Sequence, residues 1–231
     1  MNRDEGTEIL KMHGWLSATP ADFRDIILSG CSWEHLDAGS LIQSGGEAEG
    51  ELIGLAAGII ETRTILGRAD TPIMHFIHPV FWIGYLPMLS GQPRRLAASA
   101  RTPIWIARIP QSKVTELLAK RPEWLAHFMQ LAIVYGDVAV SVAADLLIRD
   151  SERRCAAVLL RLSGRRFSDP DDGPMVDVPV TQGELAAASN LSRNSAGTIV
   201  QKLKARGLIA LGYRGMTIRA PAALRAFVEG G

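Results

Sequence analysis

The segment 181–207, TQGELAAASNLSRNSAGTIVQKLKARG, constrains the chain most, because a named residue marks each start, corner and stop in it. Thr181 with Glu184 three residues later makes a capping box, so a short helix starts there and runs to about Ala188. Ser189-Asn190-Leu191 is a three-residue corner in which Asn190 accepts the left-handed conformation that a tight turn between helices demands. Ser192 caps a second helix and Gly207 ends it. With small Ala186 where the helices must approach, this is a helix-turn-helix, whose second helix enters the major groove of double-stranded DNA. Arg193, Asn194 and Thr198 fall on the exposed face of that helix, while Leu191, Ala196, Ile199, Val200 and Leu203 form its apolar face. Arginine bridges guanine O6 and N7 and asparagine pairs with adenine, which makes the exposed set candidate base readers. Thr181, Ser192, Ser195, Lys202, Lys204 and Arg206 are candidate phosphate partners, placed by charge or by a helix N-terminus. Next come two apolar runs, 208–211 and 216–219, around the basic turn Gly212-Tyr213-Arg214-Gly215, which reads as a wing with Arg214 as a further phosphate partner.

Charge supports this placement. The chain of 231 residues has a formal charge of only +1, but 13 basic and 17 acidic residues precede position 151 and 12 and 7 follow it. The C-terminal part therefore suits a polyanion and the rest suits another task. An apolar fraction of 47% with 21% charged residues excludes disorder and fibrous classes. The two cysteines, Cys31 and Cys155, cannot make a four-thiolate metal site and read as buried thiols of a reducing compartment. The acidic start MNRDEGTEIL has no secretory apolar region, and the quietest stretch, 131–144, is interrupted by Asp137. The expectation is a cytoplasmic protein with no membrane partner.

Residues 36–109 are short apolar runs separated by glycine turns, the pattern of a β-roll or jelly roll, preceded by helical spacing at 21–29. After Pro110 the period becomes 3.6 residues, through 111–120 and then, restarted by Pro122, to about Arg149. Phe128, Leu131, Tyr135, Val138 and Val142 recur at the 3,4 spacing of a seam for a second copy of the helix. The same stripe also suits packing on the chain's own β domain, and spacing alone favours the seam without excluding the alternative. A helix over 151–162 and a turn-rich stretch, 164–173, lead into the helix-turn-helix. The fold class is α+β with two domains. An N-terminal β-roll spans 1–110, linker and dimerisation helices 111–150, and a winged helix-turn-helix 151–231.

The order of these parts resembles the cyclic-AMP receptor protein and fumarate-nitrate regulator family of bacterial transcription regulators. The resemblance rests most on Glu184-Leu185-Ala186 and Leu191-Ser192-Arg193-Asn194-Ser195-Ala196-Gly197, which are similar to the family's recognition-helix signature. Leu41-Ile42-Gln43-Ser44-Gly45, Gly58 and Pro79-Val80-Phe81-Trp82-Ile83-Gly84 are similar to its β-roll turns. It implies a homodimer on a roughly palindromic site, Arg193 as a base reader, and RNA polymerase as a further candidate partner. Asn194 and Thr198 stand where the family often has glutamate and arginine, so the half-site is expected to differ.

The family's cyclic-nucleotide binders hold the ribose with a glutamate after a glycine and the phosphate with an arginine-serine pair. Here those positions are Tyr85 and Arg94-Arg95, and Val80 and Phe81 replace a turn glycine and aspartate. Without the carboxylate each buried ribose hydroxyl loses its acceptor at about 1–3 kcal/mol, so cyclic AMP is not the expected effector. Two readings stay open: Tyr85, Arg94 and Arg95 receive another anion, or Val80, Phe81, Trp82 and Tyr85 fill the cassette as core. Iron–sulfur sensing lacks its cysteines, and haem would have only His75 and His78 as axial candidates. The remaining alternative, a metal-dependent β-barrel enzyme, fits poorly, because those histidines are three apart and point to opposite faces of a strand. No hydrolase, zincin or phosphate-loop motif occurs, so neither catalysis nor a cofactor or metal is expected.

Overall fold

Frequent glycine turns fold the N-terminal half into two four-stranded sheets. The computed structural model describes residues 1–48, 50–66, 72–166, 175–213 and 215–230. Among these the strands are β1 (Ser32–Leu36), β2 (Leu41–Gln43), β3 (Glu51–Ala57), β4 (Ile60–Thr64), β5 (Ile73–Ile77), β6 (Trp82–Ile83), β7 (Leu96–Ala100) and β8 (Ile104–Pro110). One sheet has the order β1-β8-β3-β6 and the other β2-β7-β4-β5. The chain divides into two compact units, Met1–Ala69 with Ile77–Asp137, and Asp70–Phe76 with Val138–Gly231.

In the first unit an aromatic cluster surrounds Phe23, on the helix that the 21–29 spacing predicts, α3 (Ala21–Ser29). Its ring meets Trp15 at 5.6 Å, Trp124 at 5.2 Å and Phe128 at 5.6 Å between centroids. Edge-to-face aromatic pairs of this kind add about 0.5–1.5 kcal/mol each beyond area burial. Trp15 sits on α2 (Gly14–Ser17), after α1 (Arg3–Met12), and its indole donates to the His127 carbonyl at 2.8 Å. Neither α1 nor α2 was apparent in the sequence pattern, because α1 is polar around most of its circumference and buries only Gly6 and Leu10. A short helix, α4 (Tyr85–Ser90), precedes β7, and α5 (Gln111–Lys120) has the bounds its period gives.

The long helix, α6 (Leu125–Leu147), follows a 3-10 turn at Pro122–Trp124. At the N-terminal end of α6 the structure departs from the dimer-seam reading. Phe128 is 1% and Leu131 2% exposed, both inside the first unit's core, and Tyr135 packs 5.2 Å from Phe81 and from Tyr85. Val138 and Val142, within the second unit, are half-buried, and Asp145 on the same stripe is fully buried. Phe128, Leu131 and Tyr135 are thus taken up inside the first unit, while Val138 and Val142 keep part of their surface exposed. A second stripe, Met129, Ile133, Gly136, Val140, Ala143 and Leu147, repeats at the same 4,3 spacing and faces solvent, with Ile133 at 65%, Val140 at 68% and Leu147 at 79% exposure. By length and composition the segment Pro122–Leu147 is long and apolar enough to cross a membrane, although Asp137 interrupts it.

The second unit is built on α7 (Ser151–Leu162), which is buried from Cys155 to Leu162. Asp150 caps it, accepting from the Arg153 amide at 2.8 Å. Then come β9 (Val176–Val178), α8 (Gln182–Ala188), α9 (Arg193–Ala205), β10 (Ile209–Leu211), β11 (Met216–Ile218) and α10 (Pro221–Glu229). The strands order as β10-β11-β9, all antiparallel. β9 is absent from the sequence reading because it has only three residues; α10, with Pro221 in its first turn, was also missed. Most of the turn-rich stretch before β9 lies outside the described residues.

Candidate functional site

The helix-turn-helix forms as its capping signals require. The Glu184 amide donates to Thr181 Oγ1 at 3.2 Å and the Thr181 amide to Glu184 Oε2 at 2.9 Å, closing the capping box on α8. Asn190 takes φ +52, the left-handed corner. Ser192 Oγ accepts from the Ser195 amide at 3.1 Å and starts α9, and Gly207 at φ +71 follows its end. Ala196, Ile199, Val200 and Leu203 are buried, which turns Arg193, Asn194 and Thr198 outward. Thr198 Oγ1 donates to the Asn194 carbonyl at 3.1 Å and keeps its lone pairs outward for an amino group. Gln201, exposed and three residues beyond Thr198, shares this face. Its i+3 and i+7 spacing from Thr198 and Asn194 was the signal for it.

Phosphate candidates divide. Thr181 and Ser192 are engaged in capping, and the Ser195 hydroxyl lies 2.8 Å from that of Ser192. Lys204 is exposed. Lys202 and Arg206 instead converge on Glu152 of α7, at 2.5 and 3.6 Å, and Arg206 also lies 4.9 Å above the Phe227 ring. Arg214 lies outside the described residues. At the wing, the Gly212 amide bonds the Gly215 carbonyl at 2.9 Å, and Tyr213 is 97% exposed. Gly215 is required there, since a Cβ would meet the Val178 carbonyl oxygen at 2.5 Å.

In the first unit the three candidate effector residues separate. Tyr85 is 2% exposed, its hydroxyl buried with no hydrogen-bond partner among the described residues and its ring against Tyr135. Burial pushes its phenol to about 12 and, with the charge of Tyr85 as a second cause, lifts Tyr135 well above the ordinary tyrosine range. Arg95 is exposed. Arg94 is buried at a cavity of about 340 Å3 lined also by Ile42, Gln43, Ser44, Glu47 and Gly50; neither Tyr85 nor Arg95 lines it. The Arg94 guanidinium pairs with Glu47 Oε2 at 3.0 Å, and its amide donates to the Glu47 carbonyl at 2.8 Å. Val80, in place of the turn glycine, keeps the left-handed turn at φ +68. A β-branched residue there costs about 1–3 kcal/mol, so the surrounding structure must hold the turn.

Cys31 and Cys155 are free and buried, and burial raises their thiols to about 12 and about 11. Such thiols stay protonated and unreactive. Among the described residues no group of three or more histidine, cysteine, aspartate or glutamate side chains is arranged to hold a metal.

Family models match both halves: a cyclic nucleotide-binding domain over residues 33–121 and a Crp-like helix-turn-helix domain over 153–227. The anaerobic regulatory protein of Bacillus subtilis is 22% identical over 179 residues, 77% of this chain and 75% of that one. Among solved structures, FixK2 of Bradyrhizobium japonicum superposes with a TM-score of 0.68 at 17% identity, covering 84% of this chain and 95% of its own. A transcriptional regulator of Thermus thermophilus gives a TM-score of 0.63 at 22% identity, covering 86% and 98%. At these identities the superpositions establish the shared fold.

Proposed function

Because the chain belongs to the CRP/FNR family of DNA-binding transcription regulators, we propose that it acts as a cytoplasmic homodimer reading a two-fold symmetric DNA site without a cyclic-nucleotide effector. The observation that carries the dimer is the second stripe of α6. Met129, Ile133, Gly136, Val140, Ala143 and Leu147 make six positions of heptad-like spacing on one helix, and large apolar members of it face solvent. A second copy covers that stripe better than a bilayer does, since Asp137 is exposed and Asp145 is held by Arg161 and Arg166. In each half-site Arg193 reads guanine and Asn194 adenine, with Thr198 beside them. RNA polymerase is assigned as a partner by resemblance alone. The metal-barrel enzyme reading falls with membership of a family of transcription regulators.

The cassette supports independence from an effector. Tyr85, at the sequence position of the ribose glutamate, is buried as core, and Glu47 pairs with the arginine that a phosphate would need. The cavity at Arg94 supports a second reading, in which a small anion displaces Glu47. Selection of binding sites from random duplex DNA with purified protein at fixed salt separates the two. A two-fold symmetric consensus without added ligand supports the proposal. Salt-sensitive binding with no consensus overturns effector independence and directs the search to anions at Arg94.

A further inference from the structure

Arg154, on α7, makes a set of bonds that neither capping nor the recognition face uses. Its Nε donates to the Ser189 carbonyl at 2.9 Å, and its Nη1 donates to the carbonyls of Ile148 at 2.7 Å and Arg149 at 3.3 Å. Ser189 is the C-cap of α8 and opens the corner of the helix-turn-helix. Ile148 and Arg149 directly follow Leu147, the last residue of α6. One guanidinium therefore sits at the carbonyl ends of two helices, where the macrodipoles favour a cation and the last carbonyls lack intrahelical donors. A planar fork can serve several acceptors at fixed angles, which an ammonium cannot.

A separate contact fixes the same helix end. Asp145, fully buried, receives Arg161 Nε at 2.9 Å and Arg166 Nε at 3.0 Å, and Arg161 lies on α7. The last turn of α6, the connection at 148–150 and the corner of the helix-turn-helix are thus held by α7 through charged hydrogen bonds at both ends. Both sets of contacts lie within the second unit.

We propose that Arg154 is a positioning residue for DNA recognition: by joining the end of α6 to the Ser189 corner, it makes the recognition helix follow α6 as one body, so that a dimer reads its half-sites at one spacing. The inference rests on the homodimer reading and would have no object in a monomer. The consensus half-site from the selection experiment is placed in duplexes with the centre lengthened or shortened by up to two base pairs, and in a duplex carrying one half-site. Parent protein, Arg154→Gln and Arg154→Lys are titrated on each, with sedimentation and thermal melting as controls.

Half-site separation is a geometric property of the dimer, so the parent is expected to lose about tenfold or more in affinity at the wrong spacing. Arg154→Gln is expected to flatten that loss to about threefold while keeping its affinity for one half-site. Arg154→Lys is expected to resemble Arg154→Gln, because the fork and not the charge alone does the positioning. Three results of the titrations overturn the inference: a parent dimer indifferent to spacing, variants that keep the parent's spacing preference, or variants that lose single half-site binding together with spacing. The last would make Arg154 a support of the helix-turn-helix itself. A parent that sediments as a monomer overturns the homodimer reading, and the inference with it.

Discussion

Replacing Val140 by aspartate tests which stripe of α6 meets a second copy. Val140 is 68% exposed, so the change removes little packing within one chain. In a dimer it removes two buried valines, about 1.5 kcal/mol each. It also brings two carboxylates together across the seam; at roughly 6 Å and an effective dielectric constant near 20, they repel by about 3 kcal/mol. The sum, about 6 kcal/mol, raises the dissociation constant by about four powers of ten. Sedimentation velocity over a concentration series measures it, with circular dichroism reporting that the helices remain. Phe128→Asp is the contrast: Phe128 is 1% exposed among Trp15, Phe23 and Trp124, so its charge is expected to unfold the first unit. A Val140→Asp dimer constant within tenfold of the parent, with helices intact, would refute the assignment of the seam.

Other consequences reach the DNA face and the cassette. Arg193→Ala is expected to lose about 1–3 kcal/mol of discrimination at one base pair of each half-site, seen as relaxed preference there in competition binding. Glu152→Gln releases Lys202 and Arg206, and each cation that then engages a phosphate should steepen the log-affinity against log-salt slope by about 0.9, measured by titration at several salt concentrations. Tyr85→Phe removes a buried hydroxyl that has no partner among the described residues and should raise stability by about 1 kcal/mol in denaturant melts. Its alkaline profile should also change. Burial raises the Tyr85 phenol from 10 to about 12, so below pH 10 its titration leaves stability unchanged, and as pH climbs from 10 to about 12 the unfolded chain ionises first and stability falls. The parent should therefore weaken over that range, and Tyr85→Phe should weaken less.

The DNA-reading half was legible because its signals are local. Thr181 with Glu184, Asn190, Ser192 and Gly207 each specify a backbone conformation within a few residues, and each of them does so in the folded chain. What depended on distant partners was not legible. Lys202 and Arg206 carry no sign in sequence that Glu152, 50 residues before Lys202, neutralises them. The stripes of α6 show the limit most clearly. Both repeat at the same 4,3 spacing, and periodicity records that a face is apolar but not what it faces. The aromatic size of Phe128 and Tyr135 favours the packed interior of a domain, whereas Gly136 and Ala143 on the other stripe suit close approach of a second helix.

Retention of Arg94 illustrates a related difficulty, because a residue kept from a binding site need not keep binding. Its side chain pairs with Glu47, its amide donates to the Glu47 carbonyl and its carbonyl accepts from the Gly46 amide at 2.8 Å. These bonds hold the connection between β2 and β3, and they give an arginine at this position a structural reason that needs no ligand. A buried guanidinium without a counter-charge is costly, so an arginine at this position needs either a bound anion or a carboxylate of its own chain. Glu47 is that carboxylate, and the same contact is what an anionic effector would have to displace. Tyr85 stands in sequence where the family's nucleotide binders carry the ribose glutamate, and its ring packs 5.2 Å from that of Tyr135 on α6. In the proposed reading the cassette is held by contacts within its own chain, and one of these is to the helix that carries the exposed apolar stripe. Contacts of this kind hold α6 without a ligand, which is the physical basis for the proposed DNA binding in the absence of an effector.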